Sequence, residues 1–138
     1  MTAFSKHTIE TPHVGNMLLT GSFAPNGSSA TAAANIRANW ILGADQTATG
    51  TYVVTLKPEF RSMNGPVAIV ASLRMGSGAL SFARAGAYDA SAGTITIYTF
   101  TEAAGTTALA DIAADADSWI DVIAVFQHNP VVDGSNVQ

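Results

Sequence analysis

The feature that most constrains this chain is the distribution of its apolar residues, which fall in short runs separated by Gly, Asn, Ser and Asp. Within these runs the apolar residues recur with a period of two, which predicts β-strands because strand side chains alternate between two faces. Asn26-Gly27 and Asn64-Gly65 predict turns, since both residue types tolerate positive φ. The pattern therefore predicts an all-β fold, a single-domain antiparallel β-sandwich or jelly-roll-like barrel.

Seven segments are predicted to be extended: 14–23, 36–42, 51–56, 67–75, 80–88, 94–101 and 118–128. Segments 80–88 and 94–101 form the clearest hairpin, and segment 67–75 is apolar on both faces, which predicts a central strand. We expect segment 103–117 to be a structured loop, although its middle has the composition for one or two helical turns. The single domain spans residues 1–138, with a flexible N-terminal arm (1–13), a β core (14–128) and a flexible C-terminal tail (129–138).

Charged residues make up only 12% of the 138 residues, against about 25% in typical domains. A small domain with so few charges exposes a fairly apolar surface, and self-association hides part of such a surface. The composition therefore predicts a homo-oligomer, and the alternative is a surface kept soluble by Ser, Thr and Asn. There is no cysteine, which excludes disulfides, a thiolate nucleophile and cysteine-based zinc sites.

The net charge is −4, and the six basic residues are scattered along the chain instead of forming a stripe. Nucleic-acid binding requires a basic surface that tracks the phosphates, so we expect no nucleic-acid partner. No window approaches the roughly 18 apolar residues of a membrane span, and we expect neither a membrane association nor a signal peptide.

The sequence contains no motif of a catalytic nucleophile, a phosphate-binding loop or a dinucleotide site, so we expect neither an enzyme nor a cofactor. Asp115 and Asp117 are weak candidates for two ligands of an irregular metal site, because Ca²⁺ binds carboxylate oxygens. The alternative, which we favour, is that these aspartates cap turns before the last strand. No spacing of His7, His13 and His128 supports a zinc site.

Aromatic and aliphatic residues in the last three predicted strands are candidates for either the core or an oligomer interface. In segment 94–101 the side chains of Ile95 and Ile97 share one face, whereas Tyr98 and Phe100 lie on the other. Trp119 and Phe126 lie on opposite faces of segment 118–128. Stacking of the aromatic residues on a sugar is the alternative.

Three segments resemble small virion proteins of tailed bacteriophages, of the decoration, cement or head-fibre type: 21–29 (GSFAPNGSS), 86–101 (GAYDASAGTITIYTFT) and 108–126 (ALADIAADADSWIDVIAVF). The likeness covers about two-thirds of the chain, and it departs from the family pattern at residues 117–121. The resemblance supplies no catalytic residues.

The resemblance implies a β-rich homotrimer on the outer surface of the phage head, made in the host cytoplasm and localised to the virion. Its partner would be the major capsid protein, and residues 1–12 would order on the shell. An alternative is a phage tail, baseplate or head-fibre module that binds a host receptor or glycan. Another is a non-viral β-sandwich binding or assembly module.

Overall fold

The computed structural model describes residues 16–61, 65–75, 80–114 and 117–127. These ranges contain nine strands and two short 3-10 helices, Ala33–Asn35 and Pro58–Phe60. The strands are β1 (Asn16–Phe23), β2 (Ile36–Arg37), β3 (Ile41–Ala48), β4 (Thr51–Leu56), β5 (Pro66–Arg74), β6 (Ser81–Asp89), β7 (Thr94–Ala103), β8 (Thr106–Leu109) and β9 (Trp119–Gln127). The predicted arm and tail lie outside the described residues.

The strands form two antiparallel sheets that pack face to face, which confirms the predicted all-β sandwich. Sheet I has the order β2-β1-β9-β5, and sheet II has the order β3-β4-β7-β6. The short strand β8 continues sheet II by pairing with the end of β7, on the edge that β4 leaves free. Every sheet therefore has an inner face toward its partner and an outer face away from it.

The core lies between the inner faces and follows from the period-two pattern of the central strands. Along β4, every second side chain is fully buried, and the same is true of β7 from Ile95 to Thr99 and of β9 from Ile120 to Phe126. Burial of a Leu, Ile, Val or Phe side chain contributes about 1.5–3 kcal/mol, so these alternating residues fix which face of each strand points inward. The central core residues are Leu19, Phe23, Tyr52, Val54, Leu56, Ile95, Ile97, Ile120, Val122 and Phe126.

The chain crosses from sheet I to sheet II within the segment predicted as one extended stretch, 36–42. Strand β2 pairs with β1, whereas β3 begins at Ile41 and pairs with β4. Between them Trp40 is fully buried, and its indole Nε1 donates a hydrogen bond to the Thr20 carbonyl over 2.9 Å. Gly21 makes room for this crossing, since a Cβ there would collide with Ala38 and Trp40.

Two expectations about individual strands are wrong. Segment 67–75 was expected to be central, yet β5 lies at the edge of sheet I, with Val67 61% exposed and Val70 55% exposed. Its only charge is Arg74 at its end, and the uncharged remainder made an edge strand resemble a buried one. The described part of segment 103–117 contains no helical turn, but Thr106–Leu109 forms β8 instead of loop, because the end of β7 offers it an unpaired edge.

Candidate interaction surface

The outer face of sheet II carries a cluster of apolar side chains that no described residue covers. Antiparallel pairing of β6, β7 and β8 places Phe82, Phe100 and Leu109 side by side in one row across three strands. Leu80 precedes Phe82 on the same face, and its carbonyl accepts a hydrogen bond from the Glu102 amide. We call these four residues, Leu80, Phe82, Phe100 and Leu109, the aromatic patch.

The aromatic patch is ordered internally but open to solvent. The rings of Phe82 and Phe100 stack with centroids 5.1 Å apart and an interplanar angle of 16°. Nevertheless Leu80 is 62% exposed, Phe82 45% and Leu109 43%. Single exposed apolar residues are ordinary, but a contiguous apolar group is a candidate interaction surface. Its large aromatic members are of the type that dominates interface energetics.

Two opposite charges border the aromatic patch. Arg84 lies on β6 opposite Tyr98, and its guanidinium sits over the Tyr98 ring, 5.2 Å from the centroid. Glu102 lies on β7 opposite Thr107, toward the other end of the strands. Within the described ranges, neither charge forms an ion pair. The patch thus has one basic and one acidic border, each with a charge that a partner can neutralise.

The outer face of sheet I also exposes apolar side chains, but the charges beside them are paired. Val70 and Ile123 lie opposite each other and are 55% and 42% exposed. Beside them the Asp121 carboxylate accepts two hydrogen bonds from the Arg74 guanidinium, over 2.7 and 2.8 Å, and one from the Ser22 hydroxyl over 2.5 Å. The Arg74 hydrogen bond, supported by that from Ser22, lowers the pKa of Asp121 below its usual range.

A shallow cavity of 530 Å³ lies at one end of sheet I, beside Trp119. Asn26, Asn35 and Arg37 contribute to its lining, and the Arg37 guanidinium lies 4.0 Å from the Trp119 ring centroid. This cation–π contact covers the indole, which is only 8% exposed. Among the described residues, Arg37 forms no ion pair, so its donors are open to an acidic or hydroxyl-rich ligand.

Several carboxylates of the chain hold loops in place. Asp111 accepts hydrogen bonds from the Gly50 amide over 2.6 Å and from the Gln46 side chain over 3.0 Å. Asp89 accepts from the Ser91 hydroxyl and from the amides of Ser91 and Ala92, and these bonds lower its pKa. These bonds satisfy turn amides, as aspartates in turns commonly do.

Tyr52 anchors the loop that contains Asp111 from within the core. Its hydroxyl accepts a hydrogen bond from the Ile112 amide over 3.0 Å, and burial raises the pKa of Tyr52. Thr99, also fully buried, donates to the Ala110 carbonyl over 2.6 Å. The buried hydroxyls of Tyr52 and Thr99 thus form hydrogen bonds that attach residues 110–112 to sheet II.

Of the candidate metal ligands, the structure describes only Asp117. Asp117 is exposed, and Asp115, His7, His13 and His128 lie outside the described residues. Among the residues that the structure describes, no group of three or more His, Cys, Asp or Glu side chains is placed to hold a metal ion.

The six residues proposed from sequence as core or interface separate into three environments. Ile95, Ile97 and Phe126 lie in the core. Tyr98 and Phe100 lie on the outer face of sheet II, half-buried, and Trp119 lies on the outer face of sheet I beneath Arg37.

Sequence reasoning missed three members of the aromatic patch: Leu80, Phe82 and Leu109. The period-two pattern places Leu80 and Phe82 on one face of their strand, but only the pairing of β6 and β8 with β7 shows that they meet Phe100.

Comparison with family models, with curated proteins and with solved structures finds no match to this chain. None of the helices in the described ranges is long and apolar enough to cross a membrane.

Proposed function

We propose that this chain is a structural, non-catalytic protein of a tailed-bacteriophage virion, a decoration or cement protein that binds the outer surface of the head and cross-links capsomers. Its partners are the major capsid protein and further copies of itself, with the homotrimer implied by the sequence resemblance as the expected assembly. The observation that carries the proposal is the aromatic patch, an exposed apolar surface on a rigid β-sandwich.

The architecture supports this role physically. A sandwich with its core sealed between two sheets holds its outer faces in fixed positions without a ligand. An oligomer that presents several copies of one weak contact to a repetitive shell gains avidity, because each further contact forms at a high effective concentration. The low charge content also favours contacts made through apolar and hydroxyl-rich surface.

The test is the copy number of this protein in purified phage particles, measured by quantitative mass spectrometry against the major capsid protein. A ratio approaching that of the shell protein supports decoration of the head. A handful of copies per particle supports a tail or fibre location instead, and absence from particles refutes the virion role.

The cavity beside Trp119 favours a second function, binding of a host receptor or glycan by a phage tail, baseplate or head-fibre module. The Arg37 guanidinium and the Asn26 and Asn35 amides border a space large enough for a sugar residue. A glycan-array screen of the purified chain, repeated with Arg37→Ala, tests this alternative. Binding that is lost in Arg37→Ala supports it, and no binding to any glycan removes it.

A further inference from the structure

The two charges that border the aromatic patch are arranged symmetrically about its centre. Arg84 lies two residues after Phe82 on β6, and Glu102 lies two residues after Phe100 on β7. Because β6 and β7 are antiparallel and Phe82 pairs with Phe100, the two charges point toward opposite ends of the sheet. Each lies about 7 Å along its strand from the stacked ring pair, at the usual rise per residue.

We propose that the aromatic patch docks on the same patch of a second copy of this chain, around a two-fold axis that lies between the two facing sheets and runs across the strands beside the stacked rings. Such an axis places Arg84 of each copy toward Glu102 of the other. Faces of packed sheets lie about 10 Å apart, a distance that the Arg and Glu side chains together can span. The four apolar side chains of each copy then form the centre of the contact, and the two charge pairs form its rim.

Charge complementarity favours a second copy over an unrelated partner. The patch has one positive and one negative border, so it is complementary to itself and matches neither a strongly acidic nor a strongly basic surface. Two chains of net charge −4 repel each other, and contact is favoured where that repulsion is offset locally. Two ion pairs, each between Arg84 of one copy and Glu102 of the other, supply that offset. Neither residue has an ion-pair partner among the described residues of its own chain.

A contact that uses the same surface on both copies is isologous and joins chains in pairs. The expected assembly of this interface alone is a dimer, and combined with a three-fold interface elsewhere it gives a hexamer. The inference therefore goes beyond the proposed virion function: it assigns one face of the molecule to a two-fold contact, whatever particle the protein belongs to.

Sedimentation equilibrium of the full chain over a wide concentration range is the first test. We expect a mass of twice the 14.2 kDa chain, or six times that mass if a three-fold contact also forms. Phe82→Ser is expected to weaken the two-fold association at least about tenfold, because truncation of a central aromatic anchor removes interface energy. Val70→Ser is the matched control, since Val70 is an apolar residue at least as exposed as Phe82 but lies on sheet I.

Reversal of the rim charges is the second test and guards against misfolding. Arg84→Glu and Glu102→Arg are each expected to weaken association by about tenfold, because each places like charges in contact. The double variant restores the opposite pairing, and we expect its association to return close to that of the unchanged protein.

Three results would overturn the inference. These are a chain that stays monomeric at the highest concentration, a trimer without any even-numbered species, and an association that Val70→Ser weakens but Phe82→Ser does not. None of these results bears on the copy number in particles, so the inference and the proposed function fail separately.

Discussion

On the outer face of sheet I the charges beside the exposed Val70 and Ile123, Asp121 and Arg74, are paired with each other, whereas on the outer face of sheet II the charges that flank the apolar residues are not. Asp121 binds both Arg74 and Ser22, and Arg37 lies against Trp119. On sheet II, Arg84 and Glu102 flank the aromatic patch without an ion pair in the described residues. Sheet I thus pairs the charges beside its exposed apolar residues within the chain, whereas sheet II leaves complementary charges at the border of an apolar surface.

The difference shows that whether an exposed apolar residue indicates an interaction surface depends on its neighbours. Val70 on sheet I is more exposed than Phe82 on sheet II, yet it is aliphatic and lies beside a closed ion-pair network. Phe82 belongs to a row of three apolar side chains from three strands. Aromatic side chains that are stacked and exposed together offer a preorganised docking surface, because little side-chain entropy remains to be lost on binding.

The largest predicted effect is a difference in stability loss between substitutions on the inner and the outer face of sheet II. Ile97→Ala removes a fully buried side chain from the inner face of β7, and we expect it to lower the free energy of unfolding by about 2–5 kcal/mol. Phe82→Ala, on the outer face, is expected to lower it by less than about 1.5 kcal/mol, since only part of the ring is buried.

Urea unfolding measures both values, at a concentration low enough for the chain to be monomeric. Equal losses in the two variants would mean that the aromatic patch belongs to the folding core, and the contrast between the inner and outer faces would be lost.

An intermediate loss of stability is predicted for a substitution at Gly86, where β6 lies against the Tyr98 ring. A Cβ at Gly86 would lie 2.6 Å from Cε2 of Tyr98 and 3.1 Å from the Thr96 carbonyl, so Gly86→Ala must displace the ring. We expect a loss of about 1–3 kcal/mol in the free energy of unfolding, as for other overpacked sites.

Gly43→Ala is the matched control on the same sheet, because a Cβ there meets no atom within 4 Å. It is expected to be neutral or slightly stabilising, since alanine loses less backbone entropy on folding than glycine. Thermal unfolding of the two variants distinguishes them, and a Gly86→Ala protein as stable as Gly43→Ala would contradict the close contact.

The fold was largely predictable because local signals suffice for it. The hairpin of β6 and β7 follows from two alternating runs around a short turn, and the inward residues of β4 and β9 follow from the same alternation. The position of β5 was not predictable, because a strand whose only charge, Arg74, stands at its end has the composition of a central strand. Strand β8 is only four residues long and lies in Ala-rich surroundings, so its two threonines gave too short a signal, and its pairing with β7 determines it.

The candidate interaction surface was only half predictable. The sequence placed Tyr98 and Phe100 on the face of their strand opposite Ile95 and Ile97, but it did not decide which of the two faces points outward. Their neighbours Phe82 and Leu109 come from strands whose order no local pattern specifies, so the row that they form depends on tertiary pairing. Because the strand order is not specified locally, the sequence also does not show that Arg84 and Glu102 border the aromatic patch.

The smallest predicted effect concerns the ion pair of sheet I. The pKa of Asp121 is lowered in the folded chain, first by its hydrogen bond from Arg74, so its contribution to stability is present above the unfolded pKa of about 3.9 and is lost as the pH falls through the folded value. The pair is partly exposed, and we expect Asp121→Asn to cost less than about 1 kcal/mol at pH 7.

The pKa of Asp89 is also lowered, so its contribution to stability is likewise lost in acid. We therefore expect Asp121→Asn to reduce the acid sensitivity of the chain without removing it. Urea unfolding between pH 7 and pH 2.5 measures this, with Glu102→Gln as an acidic control from the outer face of sheet II. We expect Glu102→Gln to leave the stability of the monomer unchanged at pH 7 and to weaken association instead. If Asp121→Asn and the unchanged protein lose stability equally in acid, the ion pair of sheet I contributes nothing to the fold, and the two outer faces differ only in their apolar residues.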